Sequence, residues 1–230
     1  MMPSVETKPD AGLKIKHAPY TIARFHPDYP PSLISLLGSE APERLWAIGR
    51  LELLNLPKTA LFCSNRCPGD AILAAYDQAQ KWRDKGRCVI SGFHSAMEKE
   101  CLQILLRGPQ SIIICPGRSI ESMRLPREWR LGIEDGRILL LSPFESSHRR
   151  ATVALAEHRN RLVAALADEI YFAHITPSGG VARLAAHVVM WGISVYGRYG
   201  MKKGILGQPP ILQENGDTAM PKILMVNHNE

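Results

Sequence analysis

Two arginines flank an asparagine in EHRNRLVAALADEI, residues 157–170, a stretch with the apolar spacing of an amphipathic helix. If that helix opens at Glu157, Arg159 and Arg161 fall in or next to its first turn. The helix dipole there disfavours cations by about a few tenths of a kcal/mol. A phosphate at the helix start would reverse the sign of that interaction, and guanidinium groups suit phosphate because their planar fork can donate two parallel hydrogen bonds. The plain alternative is a solvated helix start in which Glu157 pairs locally.

Other residues suited to anion binding follow the strand-like runs. They are Ser64, Asn65 and Arg66 after TALFC, then Ser91, Gly92 and Phe93 after CVI, then Pro116, Gly117 and Arg118 after SIIIC. Ser142 and Pro143 follow RILLL, and Pro177, Ser178, Gly179 and Gly180 follow EIYFAHI. Small residues let main-chain amides approach a phosphate closely. Each loop alone is also ordinary turn chemistry; their recurrence after successive strands is what singles them out.

Arginine usage points the same way. From Arg118 to Arg161 there are nine arginines and no lysine, mixed with six acidic residues. Arginine is the preferred cation for planar or bidentate contacts. The whole chain carries a net charge of +6, which favours an anionic partner. Phe93, Trp129, Phe144 and Tyr171 are aromatic faces near these loops, and packing is the better reading for each.

Catalytic and metal chemistry find little support. His94, His148, His158, His174 and His187 are scattered without metal-ligand spacing. Cys63 and Cys67 lack a second ligand pair, so zinc is not expected. The five cysteines, which include Cys88, Cys101 and Cys115, read as small apolar side chains in a reducing compartment. There is no nucleophile elbow around Ser91 or Ser178 and no phosphate loop with its lysine. The expectation is a chain with no catalytic residue, metal or cofactor. No leader or membrane-length apolar run is evident, so a cytoplasmic location without membrane contact is expected.

These residues need a scaffold that gathers strand ends. Six strand-length apolar runs alternate mostly with helix-length segments from residue 57 onward. Residues 68–85 begin with Pro68 and stop at Gly86, Ser95 and Glu98 have capping-box spacing, and residues 178–191 form a Gly/Ala-rich helix. Near-continuous apolar strands imply a mainly parallel sheet covered on both faces, an α/β extended Rossmann-like fold. Ligands in such sheets sit beyond the carboxyl ends of the strands. The chain divides into a flexible arm at 1–25, one domain at 26–200 and a tail at 201–230.

The ordered motifs resemble the DNA-processing protein A family (DprA, also called Smf). YPPSLISLLGSEAPERLWAIGRLELL is similar to its lead-in, LFCSNRCPGD to its strand ending in Gly-Ser-Arg, and CVISGF to its strand ending in Ser-Gly. SIIICPGRSI and LLLSPFE occupy the following strands, HRNRLVAALA resembles its Arg-Asn-Arg helix, and TPSGGVARLAAHVVMWGISVYG its Ser-Gly loop, Ala-rich helix and strand. The resemblance implies a protein that binds single-stranded DNA, protects it during transformation and loads a RecA-type recombinase, and it makes a homodimer an expectation. Arg66, Arg159 and Arg161 would then contact phosphate. Asn160 would hold a loop or read a base edge, and Ser64, Ser91, Gly92, Ser178 and Gly179 would shape the backbone around the strand.

The sequence departs from the family at SNR for Gly-Ser-Arg, at FHSAMEKE for Gly-Ile-Asp and His, and at Ala173 and His174 for an acidic strand end. No winged helix is expected after the matched core. Two other readings stay open. One is a nucleotide-binding or phosphoribohydrolase-like enzyme of the same superfamily, which has Ala185 where its glutamate should stand. The other is a ligand-free interaction module.

Overall fold

A computed structural model describes residues 19–197. The strands are β1 (Tyr20–Ala23), β2 (Arg44–Ile48), β3 (Lys58–Cys63), β4 (Cys88–Ser91), β5 (Ile112–Ile114), β6 (Ile138–Ser142), β7 (Glu169–His174) and β8 (Ser194–Gly197). The helices are α1 (Pro31–Leu37), α2 (Gly69–Asp84), α3 (Ala96–Leu106), α4 (Arg127–Glu134), α5 (Val153–Leu166) and α6 (Gly180–Met190). One sheet of eight strands has the order β1-β2-β6-β5-β4-β3-β7-β8. From β6 to β8 all neighbours are parallel, whereas β1 and β2 add an antiparallel margin.

The chain lays down β3, β4, β5 and β6 in one direction, then returns through α5 to place β7 on the other side of β3. The strand order therefore reverses between β4, β3 and β7. Helices α2, α3 and α4 pack on one face through Ala75, Ala79, Trp82, Cys101, Leu105 and Ile133. Helices α1, α5 and α6 cover the other face through Leu33, Leu162, Leu166, Leu184 and Val188. Strands β3, β4, β5 and β6 are buried along their whole length. Their continuous apolar runs are thereby explained, because both faces of a doubly covered sheet are interior.

Two boundaries differ from the sequence reading. Residues 20–23 are an edge strand rather than part of a loose arm, with Ile22 fully buried and Tyr20 to Ala23 in register with Ala47 to Arg44. Four residues with only one inward apolar side chain gave no usable period. Helix α5 begins at Val153, four residues before Glu157, with the Thr152 hydroxyl accepting the Leu155 N–H at 3.2 Å. Most of the proposed arm and the tail at 201–230 lie outside the described residues.

Candidate functional site

The reversal of strand order brings the loops after β3, β4, β5, β6 and β7 to one edge of the sheet. Hydrogen bonds fix their relative positions. Ser64 donates its N–H to the His174 carbonyl at 3.0 Å, and its hydroxyl accepts the Thr176 N–H at 2.8 Å. The Ser91 hydroxyl donates to the Leu61 carbonyl at 2.8 Å and accepts the Phe93 N–H at 3.2 Å. The Ser142 hydroxyl repeats this between the end of β6 and the loop after β5, donating to the Arg118 carbonyl at 2.8 Å and accepting Phe144 N–H at 3.1 Å. All three serines are buried. Their hydroxyls hold turns, so Ser64 and Ser91 contribute through the shape of the loops.

Glu98 lies beneath this edge with only 6% of its surface exposed. The sequence showed its capping box with Ser95, and the structure confirms it. The carboxylate also reaches a strand 35 residues earlier. One oxygen accepts the Cys63 N–H at 3.0 Å, and the other accepts the N–H groups of His94 at 2.8 Å and Ser95 at 3.1 Å. A carboxylate has the acceptor capacity for all three donors. Nothing local in the sequence could announce the contact to Cys63.

Arg159 stands in the second turn of α5 and is 4% exposed. Its Nη1 donates to the Cys115 carbonyl at 2.7 Å, and Nε donates to Asn160 Oδ1 at 2.8 Å. A Cβ added to Gly92 would lie 1.4 Å from that Nη1, so the glycine is the gap through which the guanidinium passes. Burial pushes the Arg159 pKa down, and Glu98 and Cys115 oppose that shift. Since the helix starts at Val153, Arg159 and Arg161 lie in its second and third turns, beyond the strongest reach of its N-terminal dipole. The repulsion that their sequence positions suggested is therefore absent.

Arg161 lines a cleft of about 560 Å³ with Glu157, Asn160, Arg183 and His187, between α5, α6 and the 3-10 turn at Gly38–Glu40. It pairs with Glu40, and Arg183 pairs with Glu157. Its Nε is buried without an acceptor among the described residues. Arg66 is exposed on the loop after β3, where its carbonyl accepts the Thr176 hydroxyl at 3.4 Å. Ser178 is exposed with φ of 61°, and Gly179 caps α6. Phe93 has φ of 45°. Two non-glycine residues in left-handed backbone, both on this edge, mark loops held by their surroundings.

The loop arginine Arg118, singled out by its place after a strand, is joined in the structure by Arg149 and Arg150, which the sequence did not single out. Arg118 donates to the Arg149 carbonyl at 3.4 Å, and Ser119 N–H donates to the His148 carbonyl at 2.9 Å, joining the loops after β5 and β6. Arg149 and Arg150 are exposed just before the Thr152 cap. Arg66, Arg118, Arg149 and Arg150 form no ion pair among the described residues, unlike Arg161 and Arg183. Correct placement of the helix start would have revealed Arg149 and Arg150 as its flanking charges.

Phe93, Phe144 and Tyr171 are buried, and Trp129 packs on the α2–α4 face, so these aromatics supply packing. All five cysteines are free, and burial raises the thiol pKa of Cys88 to about 11 and of Cys101 and Cys115 to about 12. Among the described residues no group of three metal-ligating side chains gathers, and no helix is long and apolar enough to cross a membrane.

The sequence model of the family described as DNA recombination-mediator protein A matches residues 20–198. The fold superposes on DNA processing protein A from Streptococcus pneumoniae with a TM-score of 0.64 at 21% identity, covering 77% of this chain and 62% of that one. DNA processing protein A from Helicobacter pylori, described for its single-stranded DNA binding mode, gives a TM-score of 0.64 at 19% identity, covering 80% and 82%. The chain thus spans less than two thirds of the pneumococcal protein and most of the other. A comparison with curated proteins gives no match.

Proposed function

The chain belongs to the DNA recombination-mediator protein A family, and from that premise we propose that it binds single-stranded DNA across the carboxyl edge of its sheet. The observation that carries the reading is the row of exposed or half-exposed arginines on stitched loops. Arg66 sits after β3, and Arg118, Arg149 and Arg150 follow β5 and β6, none of them neutralised by a carboxylate of the described residues. Phosphate contacts by such side chains supply sequence-independent affinity. The Helicobacter pylori relative, described as a single-stranded DNA binder, supports the same ligand class.

Of the three arginines in the sequence-derived set, Arg66 is the direct phosphate contact in this proposal. Arg161 becomes one when the strand enters the α5–α6 cleft, with Asn160 beside it for a base edge. Ser178 and Gly179 shape the wall of the α6 start. A part in DNA uptake, loading of a RecA-type recombinase, a cytoplasmic setting and self-association belong to the same proposal as consequences of the family. The enzyme reading loses ground at Ala185, which is 3% exposed in the core of α6 and offers no carboxylate.

Fluorescence anisotropy of labelled oligo-dT at several salt concentrations tests the proposal. The expected result is salt-sensitive binding whose logarithmic slope corresponds to about 0.7 per phosphate contact. Absence of binding at low salt overturns it.

A further inference from the structure

We infer that Glu98 and Arg159 are a buried positioning pair that sets the geometry of the binding edge, with Arg159 acting through the loops and never touching phosphate. The inference rests on the single-stranded DNA reading above and assigns the division of labour within that site. Between them the two side chains hold the ends of three adjacent strands. Glu98 fixes the last amide of β3 at Cys63 and the start of the loop after β4 at His94 and Ser95. Arg159 fixes the carbonyl after β5 at Cys115, fills the space over Gly92, and orients Asn160.

Arg66 hangs from the same short stretch, three residues after Cys63, and Arg118 hangs three residues after Cys115. The spacing between these two displayed arginines is therefore set by the bonds that Glu98 and Arg159 make one step below them. A guanidinium that is 4% exposed and already bonded to a carbonyl and an amide oxygen has little surface left for a ligand. The Glu98 carboxylate opposes the burial penalty on the Arg159 guanidinium.

Phosphate contacts and positioning residues differ in how they respond to salt. Loss of a contact lowers the logarithmic salt slope by about 0.7, whereas loss of a positioning bond weakens binding without releasing fewer counterions. The test compares Glu98→Gln, Arg159→Lys and Gly92→Ala with Arg66→Ala, and adds Arg159→Ala as the charge-removing variant whose slope should also stay at the wild-type value, using anisotropy of labelled oligo-dT across a salt series. Glu98→Gln turns one acceptor oxygen into a donor. Arg159→Lys keeps the charge but removes the fork, and Gly92→Ala drives a methyl into the guanidinium while leaving both partners in place.

Each of the three is expected to weaken binding by about ten-fold, the scale of one lost hydrogen bond, with the slope unchanged. Arg66→Ala should lower the slope. Hydrogen exchange on the free protein gives a readout without DNA: peptides covering 63–67 and 92–98 should exchange faster in Glu98→Gln, and peptides covering 115–118 faster in Arg159→Lys. A lowered slope in Arg159→Ala, or wild-type affinity and exchange in the three variants, overturns the inference. Failure of the wild-type protein to bind oligo-dT at all overturns the function proposed above, and the exchange data then decide the positioning role alone.

Discussion

The Ser64 hydroxyl accepts the Thr176 N–H at 2.8 Å, which ties the loop after β3 to the loop after β7 at the reversal of the sheet. Two residues further on, Arg66 leaves that stitched segment exposed to solvent. Ser64→Ala leaves a Thr176 amide without its acceptor and should cost about 1 kcal/mol of stability. Its salt slope in oligo-dT binding should match wild type, because no charge is lost, while Arg66→Ala should lower the slope by about 0.7. Equal slopes in wild type and Arg66→Ala would remove Arg66 from the interface.

In the proposed binding mode Glu40 would compete with the ligand for Arg161. The ion pair joins the 3-10 turn after α1 to the third turn of α5 at the mouth of the cleft. In the same residue the buried Nε has no acceptor among the described residues, so the guanidinium is incompletely satisfied. Glu40→Gln should free a second phosphate contact, raise oligo-dT affinity and steepen the salt slope by about 0.7. Arg161→Ala should cancel the gain in the double variant. A Glu40→Gln protein with unchanged affinity and slope places the strand elsewhere.

The parallel sheet was legible in the sequence because the centres of β3 to β7 are continuous apolar runs punctuated by Gly, Pro and capping residues. Ser95 and Glu98 declared the start of α3 four residues after β4. The start of α5 was missed because Thr152 is followed by ValAlaLeuAla, which has no acidic residue in the first turn, while the charged run four residues later looks like a helix opening. That displacement made Arg159 look like a surface charge. Its burial depends on Gly92 and Cys115, brought to it only by the parallel pairing of β4 with β5. Long-range backbone contacts of this kind leave no local pattern, and the same holds for Glu98 and Cys63.

A second polar cluster lies at the opposite end of the sheet. The Glu169 carboxylate accepts the Thr59 hydroxyl, pairs with Arg87 at 3.0 Å and accepts the Tyr196 hydroxyl at 3.4 Å. It ties the amino ends of β3 and β7 to Tyr196 of β8, and burial there pushes the Tyr196 pKa up to about 12. Glu169→Ala leaves the half-buried Arg87 without its carboxylate and should cost about 1–3 kcal/mol. Thermal unfolding should fall by about 2–4 °C for each kcal/mol in a chain of this size. Oligo-dT affinity and slope, read on the folded protein, should stay at wild-type values, since the cluster is remote from the carboxyl edge.

His158 provides the acid-side test. Burial and the neighbouring Arg161 lower its pKa from the ordinary imidazole value, and Glu40 opposes them. The ring packs edge-on to Phe144 with centroids 5.6 Å apart. With the folded pKa depressed, the unfolded chain takes up a proton first as pH falls below about 6.5, so stability present above that value is lost toward the folded pKa. Wild-type protein should therefore lose more thermal stability between pH 7.5 and 5.5 than His158→Gln does. The loss should be greater in Glu40→Gln, where the opposing carboxylate is gone and Arg161 depresses the imidazole further. An equal loss in wild type and His158→Gln would mean that protonation of His158 does not oppose packing of α5 against the loop after β6.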